Sequence, residues 1–130
     1  MDDKGYLPRD HVPTPSRPLL GMTVLVVEDS RFASEAMRMM CVRSGARIRR
    51  ADCLTSARRH LQIYRPTVLI VDLGLPDGSG LELIEDMSRA TPRIDVLLGT
   101  SGDDEMEQAA LAAGADGFLS KPIRKIGAFQ

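Results

Sequence analysis

Three short runs of apolar residues recur along the chain, and each run is bounded by residues that favour turns. The runs are TVLVV, TVLIV and IDVLL, at residues 23–27, 67–71 and 94–98. Unbroken apolar runs of this length are typical of strands buried on both faces, as in a parallel sheet covered by helices. The pattern therefore predicts three central strands. Residues 46–50 and 117–120 are weaker candidates for two more strands.

Segments with helical periodicity separate the predicted strands. Apolar residues at helical spacing occur in four segments, at residues 32–40, 54–63, 81–87 and 106–113. Ser30 and Thr55 are candidate N-caps, because their hydroxyls can accept hydrogen bonds from the free N–H groups of a first turn. Pro92 lies beyond the end of the third helix, and Gly114 ends the fourth. The chain thus alternates between strand and helix.

This alternation predicts an α/β fold with a doubly wound, five-stranded parallel sheet. Right-handed crossovers favour the flavodoxin-like strand order 2-1-3-4-5, with functional residues at the carboxyl ends of the strands. Residues 1–20 contain four prolines among charged residues, which predicts a disordered N-terminal arm before a single domain at 21–130. Only eight residues follow Pro122, so the fifth helix is expected to be truncated.

Composition narrows the classes of function. The chain has 17 basic and 18 acidic side chains, so its formal net charge of −1 creates no overall attraction for nucleic acid or an anionic membrane. Seven arginines lie between residues 43 and 65, but their scattered spacing without interleaved aromatics favours a solvated face over a nucleic-acid site. No apolar stretch is long enough to span a membrane. Cys41 and Cys53 lack the spacing of a metal site, and a reducing cytoplasm is the expected location.

Three carboxylates follow two of the predicted central strands. Glu28 and Asp29 come directly after the first strand, and Asp72 comes directly after the third. Because these strands are expected to be neighbours, their acidic side chains should meet at one edge of the sheet and repel each other. Hard oxygen ligands of this kind suit Mg²⁺. The sequence therefore predicts a magnesium site.

Two further groups are expected at the same edge. Lys121 follows the last predicted strand and could neutralise an anion held by the metal, and Pro122 makes a cis Lys121–Pro122 bond plausible. The predicted strand VLLGTS ends in two residues with hydroxyl groups, Thr100 and Ser101. Either hydroxyl could donate a hydrogen bond to the same anion. This combination predicts a site for an oxyanion above a metal.

The motifs VLVVEDS, VDLGLPDGSG, VLLGTSG and AGADGFLSKP, in this order, resemble those of receiver domains from bacterial two-component response regulators. The resemblance covers about residues 22–125 and implies a CheY-like fold. It implies that Asp72 is the phosphorylated aspartate. It also implies site roles for nine further residues: metal binding by Glu28, Asp29 and the carbonyl of Gly74, phosphoryl contact or switching by Thr100, Phe118 and Lys121, and structural turns at Pro76, Gly80 and Pro122.

The resemblance also implies partners. The phosphoryl donor would be a histidine kinase or a histidine phosphotransfer protein, and a downstream effector or a second copy could read the switched surface. The segment itself is expected to have no direct nucleic-acid contact, no membrane contact and no enzymatic turnover.

Three alternatives remain open from the sequence. Counting back from the AGAD turn without gaps puts Gly99 at the position of the switch hydroxyl, whereas aligning the strand puts Thr100 there. A phosphatase of the haloacid-dehalogenase type also uses a strand-end aspartate, but it needs a second aspartate two residues later, where this chain has Gly74. The third alternative is a pseudo-receiver, which would have the fold and bind partners without being phosphorylated.

Overall fold

The computed structural model describes residues 20–122. Residues 1–19 of the predicted arm, and the segment after Pro122 assigned to a truncated fifth helix, lie outside the described residues. The main feature is a five-stranded sheet in which every neighbouring pair is parallel. Its strands are β1 (Thr23–Val27), β2 (Arg47–Ala51), β3 (Val68–Asp72), β4 (Val96–Ser101) and β5 (Gly117–Ser120). Their order, β2-β1-β3-β4-β5, confirms the predicted doubly wound, flavodoxin-like topology.

Four helices connect the strands in the described part of the chain. They are α1 (Arg31–Arg43), α2 (Leu54–Ile63), α3 (Gly80–Ser88) and α4 (Glu107–Ala113). As predicted, the Ser30 side chain caps α1 by accepting a hydrogen bond from the Ala33 N–H, and Gly114 ends α4 in a left-handed conformation at φ +115°. The predicted cap of α2 was wrong, because α2 begins one residue before Thr55, with Cys53 as its N-cap.

The two faces of the sheet bury separate apolar clusters. Leu25, Leu69 and Leu97 pack towards α2, α3 and α4, whereas Val26 and Ile70 pack towards α1. Every residue of β3 is buried, as its unbroken apolar run predicted. Since β1, β3 and β4 are held from both sides, the residues at their carboxyl ends have fixed positions.

Helix α4 contributes less to the core than the other helices. It is seven residues long, buries only Ala110, and has no side-chain hydrogen bond at its N-terminus. A short 3₁₀ turn, Asp104–Met106, leads into it. Packing of Ala110 against the strands beneath therefore provides most of its stability.

A small antiparallel hairpin follows β3, formed by the two-residue strands Gly74–Leu75 and Gly78–Ser79. Gly78 has φ +148°, a conformation that side chains disfavour, which explains the glycine at this turn. This hairpin holds the chain directly above the end of β3. None of the helices within residues 20–122 is long and apolar enough to cross a membrane.

Candidate functional site

Three carboxylates meet at the carboxyl ends of β1 and β3, as the sequence predicted. Glu28, Asp29 and Asp72 each offer one oxygen, and these oxygens all lie within 4.8 Å of one another. Glu28 is fully buried, Asp72 is nearly buried, and Asp29 is exposed. The parallel pairing of β1 with β3 creates this arrangement, because it brings both strand ends to one edge of the sheet.

Lys121 lies between two of these carboxylates. Its Nζ is 2.6 Å from Glu28 Oε1 and 3.3 Å from Asp72 Oδ2. The backbone N–H of Lys121 also donates to the carbonyl of Ser101, which continues the β4–β5 ladder up to the site. The Lys121–Pro122 peptide bond is cis, as the sequence indicated. The lysine that follows β5 therefore belongs to the same site as the acidic residues that follow β1 and β3.

Charge and burial shift two pKa values in the site. Burial raises the pKa of Glu28, and the nearby Asp72 carboxylate raises it further, although Lys121 and the Ser30 N–H, which donates to Glu28 Oε2 at 3.0 Å, act in the opposite direction. Burial alone would lower the pKa of Lys121, but its pairing with Glu28 and Asp72 outweighs burial and raises it. The lysine is therefore held in its charged form.

The donor set fits a divalent cation with hard-ligand preferences. The site combines three carboxyl side chains with one ammonium group, so its acidic groups outnumber its basic group by two, which matches the charge of one Mg²⁺. All three side chains offer oxygen, and the exposed Asp29 leaves the site open to solvent, so that a bound ion could retain water ligands. The structure thus contains an acidic group that could hold a metal ion.

The contacts near the ends of β4 and β5 show which residue of β4 lies beside Asp72. Thr100 is the direct strand partner of Asp72 and is fully buried, and its hydroxyl donates to the carbonyl of Leu119 at 2.7 Å. Gly99 precedes it and therefore faces the opposite side of the sheet, where a Cβ would meet Ala110 at 3.1 Å. Thr100, not Gly99, lies on the Asp72 side of the sheet.

Phe118, the predicted aromatic switch, does not lie with the carboxylates. It is the strand partner of Gly99, is half-buried, and packs against the apolar cluster beneath α3 and α4. Ser101, the other hydroxyl considered for the switch, accepts a hydrogen bond from the Asp103 N–H within the loop after β4. Only one of the two candidate hydroxyls, that of Thr100, is therefore buried beside the acidic site.

The loop after Asp72 contains the remaining predicted residues. The Gly74 N–H donates to Asp72 Oδ1 at 3.3 Å, while Pro76 is exposed at the hairpin turn. Gly80 begins α3 and is buried directly against the end of β3, where any Cβ would collide with the carbonyl oxygen of Asp72. Glycine is therefore required at position 80 for α3 to begin this close to the site.

Sequence reasoning missed Asp77, which links this loop to α2. Its carboxylate accepts hydrogen bonds from the N–H groups of Leu54 at 2.8 Å and Thr55 at 3.0 Å, and from the Thr55 hydroxyl at 3.0 Å. These hydrogen bonds lower the pKa of Asp77. Aspartate is a preferred helix cap, but Asp77 lies 22 residues after Thr55, whose N–H it caps, so no local pattern in the sequence could reveal it.

Arg50 was also missed. It is the penultimate residue of β2, and its guanidinium donates to the main-chain carbonyls of Glu28 and Asp29, each at 3.1 Å. Arg50 is one of seven arginines between residues 43 and 65, and the sequence offers no reason to single it out. The pairing of β2 with β1 is the fact that places it beside the acidic pair.

Comparisons with known proteins agree with the fold. A family model described as the response regulator receiver domain matches residues 24–127. The chain is 35% identical over 100 residues to the KDP operon transcriptional regulatory protein KdpE of Escherichia coli (strain K12), covering 77% of this chain and 44% of that protein. The chain therefore spans somewhat under half the length of the curated relatives it matches.

Solved structures match over most of the described residues. A receiver domain (CheY-like) from Methylobacillus flagellatus superposes with a TM-score of 0.73, covers 82% of this chain and 92% of that chain, and at 23% identity supports the fold alone. A response regulator protein from Burkholderia pseudomallei, solved with a phosphorylated aspartic acid, calcium ion and citrate, has a TM-score of 0.70 and 25% identity, and covers 79% of this chain and 61% of that chain.

Receiver domains of this family act as phosphoryl-accepting switches, and response regulators are partners of histidine kinases. The sheet order, the strand-end carboxylates and the family match over residues 24–127 lead to one assignment. The chain belongs to the response regulator receiver domain family, within two-component signalling.

Proposed function

We propose that Asp72 is the phosphoryl acceptor of this domain. The transfer to Asp72 would require a Mg²⁺ ion bound beside it. The observation that supports this assignment most directly is the position of the Asp72 carboxylate, which lies within 4.8 Å of two other carboxylates and 3.3 Å from Lys121. The similar Burkholderia protein, whose description includes a phosphorylated aspartic acid and a calcium ion, supports the same chemistry. The functional unit of this proposal is residues 21–130.

The proposed reaction is a transfer between two covalent carriers. A carboxylate oxygen of Asp72 attacks the phosphorus of a phosphohistidine, the P–N bond breaks, and the electron pair remains on the histidine nitrogen of the donor. The product is an acyl phosphate. Asp72 needs no general base, because a carboxylate is already ionised near neutral pH. The donor is a histidine kinase or a histidine phosphotransfer protein, and we propose that the exchange takes place in the cytoplasm, where the free thiols of Cys41 and Cys53 would persist.

The residues around Asp72 would stabilise negative charge on the transferring phosphoryl group in two ways. Glu28, Asp29 and Asp72 would hold Mg²⁺, together with the carbonyl of Gly74. The metal ion supplies Lewis-acid stabilisation of the transferring phosphoryl oxygens. Lys121, held in its charged form by the acidic site, contributes a second positive charge at the same oxygens.

Switching would follow from the position of Thr100. Its hydroxyl lies on the Asp72 side of β4 and donates to the Leu119 carbonyl. A phosphoryl group on Asp72 offers a charged acceptor, which favours a state in which this hydroxyl turns towards it. Leu119 is adjacent in the chain to Phe118, whose ring packs beneath α3 and α4. We therefore propose that phosphorylation changes the surface around Phe118, beside α3 and α4. An effector or a second copy would bind there.

The test is phosphorylation by acetyl phosphate or a phosphorylated histidine kinase with Mg²⁺, followed by intact-mass spectrometry. The unsubstituted domain should gain one phosphoryl group, and Asp72→Asn should gain none. Asp52→Asn is the matched control, because Asp52 also follows a strand but lies outside the acidic group. A mass gain that survives Asp72→Asn would move the acceptor to another residue.

The same protein tests whether the site turns over external phosphoesters. The position two residues after Asp72 is Gly74, which has no carboxyl group to protonate a leaving group. We therefore expect no sustained hydrolysis of p-nitrophenyl phosphate. Sustained hydrolysis that disappears in Asp72→Asn would identify a phosphatase and contradict the proposal.

A further inference from the structure

Arg50 links β2 to the acidic pair without contacting a carboxylate. Its Nε donates to the main-chain carbonyl of Glu28 at 3.1 Å, and its Nη2 donates to that of Asp29 at 3.1 Å. Within residues 20–122, no acidic side chain lies within ion-pair distance of the Arg50 guanidinium. The planar guanidinium can span two successive carbonyls, whereas the single ammonium group of lysine has no such fork.

The turn between β1 and α1 depends on few hydrogen bonds. Glu28 is held by its N–H, which donates to the carbonyl of Ala51, and Ser30 is held by its N–H, which donates to Glu28 Oε2. Between them, Asp29 is exposed, and in the described part of the chain its hydrogen bond is the one that its carbonyl accepts from Arg50. The backbone orientation that aims the Asp29 carboxylate towards Asp72 therefore depends on Arg50.

We propose that Arg50 is a positioning residue for Mg²⁺ binding: it fixes the backbone of Glu28 and Asp29 so that their carboxylates are already arranged for the ion. This inference rests on the proposed function, because it assumes that the acidic group binds Mg²⁺. Outer residues that orient metal ligands commonly change metal affinity by tenfold or more when they are replaced.

The charge of Arg50 would act in the opposite direction from its hydrogen bonds. A positive charge close to the site repels Mg²⁺, so removing that charge alone would tighten binding. Losing the two hydrogen bonds would free the Asp29 backbone and weaken binding, because part of the binding free energy would then be needed to order it. Substitutions that separate charge from hydrogen-bond geometry can therefore distinguish the two roles.

The experiment measures Mg²⁺ affinity of the full chain by calorimetric titration and by the rise in melting temperature with Mg²⁺ concentration. Arg50→Lys keeps the charge but loses the fork, and Arg50→Met loses both. We expect Arg50→Lys to bind Mg²⁺ about tenfold more weakly than the unsubstituted chain. Arg50→Met should also bind it more weakly, but by a smaller factor, because loss of the repelling charge offsets part of the effect. Phosphorylation at saturating Mg²⁺ should be restored in both. Arg49→Met is the matched control, because Arg49 lies next in the same strand, over the Tyr64 ring and away from the acidic pair.

Each alternative result has a definite meaning. Unchanged affinity in both Arg50 variants would overturn the positioning role and leave the proposed function intact. Unchanged affinity in Arg50→Lys with tighter binding in Arg50→Met would show that only charge matters, which also overturns it. Absence of Mg²⁺ binding in the unsubstituted chain would overturn both proposals together.

Discussion

Replacing Thr100 with valine removes one buried hydroxyl and leaves the shape of the side chain nearly unchanged. In the structure this hydroxyl donates to the Leu119 carbonyl at 2.7 Å. The substitution therefore affects two properties separately: the stability of the domain, through the lost hydrogen bond, and its response to phosphorylation, through the loss of a donor beside Asp72.

The stability effect can be worked out from this contact. A neutral hydrogen bond contributes about 0.5–1.5 kcal/mol net, and leaving its acceptor unpaired adds to the loss when that acceptor is buried. Leu119 is half-buried, so we expect a loss of about 1 kcal/mol. In a domain of this size that loss lowers the melting temperature by roughly 4 °C. Thr100→Ser keeps the hydroxyl and should recover most of the difference.

The effect on switching follows from comparing two acceptors for the same hydroxyl. Hydrogen bonds to charged groups contribute about 1.5–3 kcal/mol, roughly 1 kcal/mol more than a bond to a carbonyl. A difference of this size changes the ratio of two states by about fivefold. In Thr100→Val this difference disappears, while the proposed nucleophile, Asp72, and Lys121 remain. Phosphorylation should continue while the conformational response shrinks.

The assay uses beryllofluoride as a stable phosphoryl mimic and follows amide and aromatic NMR signals of Phe118 and Leu119. Binding should persist in Thr100→Val, with smaller shifts at both reporters. Ser101→Ala is the control, because the Ser101 hydroxyl oxygen accepts only the local Asp103 N–H among the described residues. A full response in Thr100→Val, together with its loss in Ser101→Ala, would refute the reasoning.

Two further predictions follow from groups away from Asp72. Because the amides of Leu54 and Thr55 depress the pKa of Asp77, this carboxylate should stabilise the fold above the ordinary pKa of aspartate, and the stabilisation should be lost as pH falls through the depressed value. Asp77→Ala should therefore melt earlier than the unsubstituted chain at neutral pH, with the gap closing in acid; a gap independent of pH would contradict this. Burial raises the pKa of Cys41 to about 11, so at pH 8 only about one in a thousand of its thiols is ionised. Iodoacetamide should modify half-buried Cys53 in the native protein and reach Cys41 only on unfolding, and native labelling of Cys41 detected by peptide mapping would show that the helix opens.

The sequence predicted most of the sheet because the central strands are buried on both faces and so carry unbroken apolar runs. Strand β2 is different: its sequence is RIRRA, and its arginines are exposed at the edge of the sheet. No apolar run marks it, and only the alternation of elements indicated a strand there. The structure places it one residue later than predicted, at Arg47–Ala51.

In the candidate site too, local sequence patterns predicted some residues and missed others. The positions of Glu28, Asp29 and Asp72 follow from the strands that precede them, so local patterns predicted that they would meet. Asp77 and Arg50 act on residues more than 20 positions away, through pairing that exists only in the folded chain. Their side-chain types are common in turns and at sheet edges, so the sequence alone offered no reason to select them.

The small contribution of α4 to the core has a consequence for hydrogen exchange. A helix of seven residues with one buried side chain and no side-chain cap can unfold locally at little cost in free energy, while the strands beneath stay closed. Its amides should therefore exchange with solvent faster than those of β3, which is buried throughout. Because α4 follows β4 in the chain, Thr100 near the end of β4 lies close to a helix that opens at little cost in free energy.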